Sequence, residues 1–389
     1  MQSFYKTLVT LLLGFLQSLC LAADSGKPIR IGVSIGLTGK YTEIGRIQKF
    51  AYQLWEAQVN DRGGILGRQV RVIVQDDKSD PQVAVETYKQ FIETEKVDFV
   101  FGPYSSPITE AVAPLTEKAS YPMLAAGASS NDLWTKGYQY LFGVMSPAKR
   151  DTIGFFALLS QSKLQRVGIV SKDDSFSLSV TEGAKQWAAQ YGCHIIAYQV
   201  LSKTEPDFVG AAQVMRDKGA EIVILGGFYE DSVKMRQAFK QISWNPSAYY
   251  AASGPALSKF YQVLGPDAEK AFTMSNWEPR EDLRLPGSIE FLKAYRARYN
   301  ETPAYQSATA YAAGQILEKA ILKAGSLDRV AVRQALSTMT MDTIIGHYAV
   351  DGTGMLLKRP PLIVQWQNSK LEIVWPEEMR TSKPVFNNN

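Results

Sequence analysis

Apolar residues fall along this chain in two alternating patterns. Short continuous runs, Ile29 to Ile35, Val70 to Val74, Val97 to Phe101 and Pro122 to Ala126, are bounded by turn residues and read as buried strands. Between them apolar positions recur at helical spacing. Ile44, Ile47, Ala51, Leu54 and Gln58 or Val59 share one stripe, which Gly63-Gly64 closes. Asp80-Pro81 is an N-cap followed by proline at the first helical position, and opens a helix to about Glu95. A further helix starts at Pro107. The alternation resumes with strands Arg166 to Ser171, His194 to Val200 and Glu221 to Leu225, and with helices Leu178 to Tyr191, Phe208 to Lys218 and Val233 to Ile242. Near-continuous apolar strands separated by helices mean parallel sheets covered on both faces.

One sheet cannot take so many strands, and the pattern breaks at three places. Ser146-Pro147 interrupts it near residues 145–150; the others are Thr273 to Trp277 and Asp351-Gly352-Thr353-Gly354. Three breaks predict a chain that passes between two lobes three times. The length of 389 residues agrees with about two or three domains.

The N-terminus carries an address. Lys6, an apolar stretch from Leu8 to Leu16 and small Ala22 and Ala23 have the grammar of a secretory signal peptide over residues 1–23. The mature chain is then exported, keeps Cys193 alone and has no internal disulfide. Cys193 borders an apolar strand and reads as a small buried hydrophobe.

Composition narrows the function by exclusion. A net charge of +4 comes from 42 basic and 38 acidic residues spread along the chain, so no basic run marks nucleic acid as a partner. Only His194 and His347 exist, both on predicted strands, and one mature cysteine adds no zinc cluster. Neither a G-x-S-x-G elbow nor a Walker A loop is present. Gly32, Gly36 and Gly39 lack dinucleotide-loop spacing, and Asp76-Asp77 reads as a solvated strand end or cap pair. No catalytic residue, metal site or cofactor is expected.

Binding chemistry remains, at the C-terminal ends of strands, where open α/β sheets hold ligands. After Phe101 comes Gly102-Pro103-Tyr104-Ser105-Ser106-Pro107. Pro107 fits the first helical position, which makes Ser106 the cap of a helix N-terminus suited to an anion. The next strand runs into Ala126-Gly127-Ala128-Ser129-Ser130, whose small residues admit a ligand to the backbone. Adjacent in one sheet, the two segments form one polar pocket.

In these segments, and in Gly36-Leu37-Thr38-Gly39, Val59 to Arg68, Asp76 to Pro81, Ala310-Tyr311-Ala312-Ala313 and Val364-Gln365-Trp366, the chain resembles the leucine/isoleucine/valine-binding proteins of ABC transporters. The resemblance implies a type I periplasmic-binding-protein fold, α/β, with two doubly wound lobes joined by a three-crossover hinge. Residues 27–147 plus 276–353 would form the first lobe and 148–275 plus 354–389 the second. It also implies an extracytoplasmic, monomeric binding component that closes on an amino acid or related small carboxylate or amide and delivers it to a membrane permease. A sensory protein of the same fold is the alternative; no signalling segment follows Asn389. Ser106 and Ser129 would hold the ligand carboxylate, the Gly127 carbonyl would accept from an amino group, and Ile44 would line the side-chain pocket. Tyr104, Ser105 and Ala128 complete that wall, while Phe176 and Phe228 or Tyr229 close from the second lobe. Ser253 stands where a glutamate commonly meets the ligand ammonium. An amide, aromatic acid or short fatty acid then suits the cleft, unless Glu230, Asp231, Asp173 or Asp174 supplies the charge.

Overall fold

The computed structural model describes residues 26–282, 284–357 and 360–387. The expected signal peptide and Cys20 lie outside the described residues.

The first sheet is parallel, in the order β2-β1-β3-β4-β5, with β1 at Ile29–Ile35, β2 at Val70–Asp76, β3 at Phe99–Phe101, β4 at Met123–Ala125 and β5 at Leu141–Gly143. Order reverses beside β1, whose neighbours are β2 and β3. Its apolar run is buried along its length except at Arg30, as a central strand requires. Helix α1 (Thr42–Asp61) turns Tyr52 and Trp55 onto Phe101, at ring-centroid distances of 4.7 and 5.9 Å. Helix α2 (Pro81–Lys89) starts at the expected cap, Asp80, which accepts from Gln82 and Val83 N–H, and runs on into a π-helical turn at Gln90–Thr94. Helix α3 (Ser106–Lys118) follows β3.

After β5 the chain crosses through a 3₁₀ turn (Ala148–Arg150) to helix α4 (Ile153–Leu159) and a second sheet. That sheet has the order β14-β13-β10-β9-β8-β6-β7. Its parallel part comprises β6 (Arg166–Lys172), β7 (His194–Leu201), β8 (Ile222–Gly226), β9 (Ala248–Ala251) and β10 (Ala271–Ser275), interleaved with α5 (Ser175–Gln190), α6 (Phe208–Asp217), α7 (Tyr229–Gln241) and α8 (Ser258–Leu264). The chain then returns over the first sheet as α9 (Ser288–Tyr299), α10 (Tyr305–Ala324), α11 (Arg329–Thr338) and the hairpin β11 (Met341–Thr343) and β12 (Gly346–Tyr348). Antiparallel β13 (Leu362–Gln367) and β14 (Lys370–Trp375) complete the second sheet. Two lobes and three crossings result. Helix α10 seats on α1 through Gly314, where a Cβ would lie 2.3 Å from Trp55 Cδ2, so a side chain there would drive the helices apart.

Some local expectations change. The helices expected from Leu178 and Val233 begin earlier, at Ser175 and Tyr229, because Asp174 and Asp231 satisfy N–H groups at their N-termini. Of the Asp76-Asp77 pair, only Asp77 departs from a solvated strand end. Asp76 accepts from the N–H groups of Leu37, Thr38 and Lys78 and so organises the loop after β1; those bonds pull its carboxyl below the ordinary range against a desolvation push upward. Asp77 is buried, accepts from the Ser34 hydroxyl at 3.0 Å and Ser79 N–H at 2.9 Å, and is pushed up by desolvation to about 6. Cys193 is buried and free, in keeping with a structural role.

Candidate functional site

Every candidate loop leaves the C-terminal end of a parallel strand. Tyr104, Ser105 and Ser106 follow β3, and Gly127, Ala128 and Ser129 follow β4; Phe176 follows β6, Phe228 and Tyr229 follow β8, and Ser253 follows β9. The structure brings most of them together where the lobes meet.

Helix α3 begins one residue earlier than expected, so Ser105 occupies the cap position and Ser106 the first helical one. Ser105 donates from Oγ to the Tyr41 hydroxyl at 3.2 Å. Ser106 Oγ accepts from the N–H groups of Ser129 and Ser130, at 3.1 and 3.0 Å. The Ser129 amide is therefore engaged by Ser106, so only the remaining polar groups of these two residues are open to the carboxylate that both were expected to hold. With both lone pairs of Ser106 occupied, its hydroxyl hydrogen is the capacity left over. Gly127 has a steric reason for being glycine. A Cβ there would fall 2.9 Å from Tyr104 Cδ2 and 3.1 Å from Gln48 Nε2.

Above this hydroxyl floor lies an aromatic layer drawn from both lobes. Tyr41 and Tyr104 meet edge to face at 5.0 Å, and Phe228 reaches across to each, at 5.2 and 6.1 Å. Phe176 packs on Phe228 at 5.1 Å. Ile44, Ala128 and Leu257 are buried in the same cluster, with Tyr229 at its margin. Such edge-on aromatic pairs favour association beyond the area they bury. Burial holds the Tyr41 hydroxyl protonated, well above the usual tyrosine range.

Polar bonds also cross between the lobes. The Ser130 and Ser179 hydroxyls lie 3.1 Å apart, and Asn131 N–H donates to Ser179 Oγ at 3.1 Å. Lys259 Nζ stands 3.7 Å from a Glu43 carboxylate oxygen. The cleft is shut in this conformation.

Ser253 is 2 % exposed; its hydroxyl has no hydrogen-bond partner and lies beside the hydroxyls of Tyr104 and Tyr305. The second-lobe carboxylates proposed to replace a glutamate there are committed elsewhere. Asp174 accepts from Ser177 N–H and Oγ, and Asp231 from Phe228 N–H at 2.9 Å. Desolvation pushes both carboxyls above the ordinary range. Asp173 is exposed and 3.5 Å from Lys203 Nζ, while Glu230 is exposed.

Tyr41, Ser130, Ser179 and Tyr305 were not singled out from sequence. Ser130 belonged to a segment read as one polar loop; Ser179 and Tyr305 lie on helices that only tertiary packing carries to the cleft. Both histidines are exposed, and His347 sits with Asp342, Nδ1 2.9 Å from Oδ1. Among the described residues no group of three or more His, Cys, Asp or Glu side chains is arranged to hold a metal ion, and no helix is long and apolar enough to cross a membrane.

A family model described as periplasmic binding protein matches residues 28–370. Leu/Ile/Val-binding protein homolog 7 of Brucella suis biovar 1 is 24% identical over 380 residues, spanning 93% of this chain and 95% of that protein. Among solved structures, the branched-chain amino acid transporter substrate binding protein LivJ from Streptococcus pneumoniae, in complex with isoleucine, superposes with a TM-score of 0.80 at 22% identity, over 89% of this chain and 98% of its own. A solute binding protein of an ABC transporter from Rhodopseudomonas palustris, in complex with 3,4-dihydroxy benzoic acid, gives 0.76 at 17% identity, over 88% of this chain and 95% of its own.

Proposed function

The chain belongs to the periplasmic binding protein family, and from that premise we propose that it captures a small carboxylate or amide with an apolar body between its lobes. A member of this family binds solute and performs no reaction. Residues 27–147 plus 276–353 serve as one jaw and 148–275 plus 354–389 as the other, and the three crossings bend as the hinge. The mature protein, released from its signal at about residue 23, works in the periplasm as a monomer and passes its load to an ABC permease.

The observation that carries this reading is the layered contact between the lobes. Phe228, with Phe176 packed behind it, meets Tyr41 and Tyr104 across the cleft, beside the Ser105-Ser106 and Gly127-to-Ser130 loops. Apolar rings from both sides suit the body of the solute. The hydroxyl of Ser106, saturated as an acceptor, donates to its acidic or amide end, and the N-terminal dipole of α3 favours negative charge there. The relatives' ligands, isoleucine and a hydroxylated benzoic acid, both combine a carboxylate with an apolar body.

Calorimetry with leucine, phenylalanine, benzoate and a neutral sugar tests it. Binding of at least one of the acids, with none of the sugar, is expected. A sugar bound in preference to all the acids would overturn the reading.

A further inference from the structure

Asp151 is fully buried at the first crossing between the lobes, and neither of its carboxylate oxygens has a hydrogen-bond partner. Its main chain is accounted for. The N–H donates to the Ala148 carbonyl at 3.1 Å, and the carbonyl accepts from the Tyr250 hydroxyl at 3.1 Å. The side chain alone is unmet. Taking an ionised carboxylate out of water without a partner costs so much that the group either keeps its proton or faces a cation.

The neighbourhood is unmet in the same way. The Thr152 hydroxyl, both ends of the Gln306 amide and the Ser253 hydroxyl are buried without partners. Tyr305, at the start of α10, interacts electrostatically with Asp151 and stands beside both Ser253 and Gln306. Ser253 in turn lies beside Tyr104 of the cleft wall. Buried polar side chains nearly always find partners within the protein, so several failing together, on three separate segments, describes a place built to meet polar groups from a bound molecule. The place adjoins the anion-binding loops. Ala148 N–H donates to the Ser129 carbonyl at 2.8 Å, which puts Asp151 one 3₁₀ turn along from the loop that engages Ser106.

We propose that Asp151, together with the Gln306 amide and the Ser253 hydroxyl grouped around Tyr305, forms a subsite for a protonated amine on the captured solute. The inference rests on the proposed capture of a carboxylate or amide in this cleft and adds a positive charge to that solute. It also relocates the acceptor: in place of the glutamate that commonly stands at the Ser253 position in the second lobe, the ammonium partner is supplied from the crossover. Burial, which holds the Asp151 carboxyl well above the ordinary carboxylate range, keeps the group protonated while the site is empty, and pairing with the ammonium releases that one proton to solvent. The charged or titratable groups facing it are the hydroxyls of Tyr250 and Tyr305, both pushed up by burial and silent at neutral pH.

The test uses the mature protein and matched pairs of probes: leucine, phenylalanine and γ-aminobutyrate, each against its deaminated analogue, by calorimetry. The wild type should prefer the amine-bearing member of at least one pair by about ten- to a hundredfold, as loss of a charge-assisted hydrogen bond implies. Asp151→Asn should bring that pair to within about twofold by weakening the amine alone. Melting of the unliganded variant checks that it folds; if it does not, the wild-type comparison decides alone. Deaminated acids bound as tightly as their amines, or a preference that survives in Asp151→Asn, would overturn the subsite and leave carboxylate capture standing. Failure of every probe to bind would overturn both.

Discussion

At the scale of residues, the cleft floor depends on one hydroxyl. Ser106 Oγ ties the loop after β4 to the first turn of α3 by accepting two N–H bonds, and its own hydrogen is free to meet a ligand. Ser106→Ala removes all three, so it should weaken acid binding by about ten- to a hundredfold, read by calorimetry. Because two main-chain donors lose a buried acceptor, the unliganded protein should also lose about 1–3 kcal/mol, read from denaturant unfolding. Affinity unchanged in a folded variant would remove Ser106 from the site. Glu278, at the second crossing, gives a different kind of expectation. It is buried, and desolvation pushes its carboxyl up to about 7 against the opposing pull of Ser275 and Arg280. A folded-state value above the unfolded one favours folding while the group is protonated. That contribution is complete below the ordinary glutamate range and lost as pH rises through about 7; its upper size is about 3 kcal/mol. Asp77, pushed up to about 6, acts in the same direction. The melting temperature should therefore fall between about pH 5 and about pH 8, and Glu278→Gln should flatten that slope. An equal slope in the variant would assign the effect to other groups.

Turn chemistry marked the segments around Ser106 and Gly127 to Ser129, but hydroxyl and small residues past a strand also serve as caps and tight turns, and it was the resemblance to known binding proteins that singled these residues out. Asp151 was hidden for the opposite reason: in Ala148-Lys149-Arg150-Asp151 it looks like one more charge in a solvated stretch, and only the crossing buries it. Ser106 was misplaced by one position because Pro107 is tolerated anywhere in a first helical turn, not solely at its first residue.

At the scale of elements, β1, β2 and β6 to β8 could be read directly as continuous apolar runs. The returning helices could not. Helix α10 is buried from Tyr305 through Gly314 without a break, so it shows no polar face to set a helical period against. Its small residues are there for close approach to α1. Gly314→Ala, which places a methyl against the Trp55 ring, should cost about 1–3 kcal/mol in urea unfolding, with ligand affinity in the folded fraction unchanged. A neutral effect on stability would contradict the close approach of Gly314 to the Trp55 ring. Strands β13 and β14 were also missed as a pair: Val364-Gln365-Trp366 registered only as a motif, because an antiparallel hairpin at the end of the sheet interrupts the parallel alternation that located the others.

At the scale of the whole molecule, the two lobes share an aromatic layer, a serine pair and a Lys259–Glu43 contact, and each of these must open for a solute to enter. The exposed ion pair contributes little, so among these contacts the buried aromatic layer does most to hold the lobes together, and an enclosed ligand adds to it. A ligand shifts such an equilibrium only by binding the closed state better than the open one. Three crossings were visible as three interruptions of one pattern; which loops they would bring face to face was not, since that depends on how the sheets are rotated against each other. Small-angle scattering on ligand-stripped protein, with and without a saturating acid shown by calorimetry to bind, addresses capture between the lobes most directly. Hinge closure on the acid gives a smaller radius of gyration and a shorter maximum dimension in the bound sample. An unchanged scattering curve with the acid demonstrably bound would contradict it.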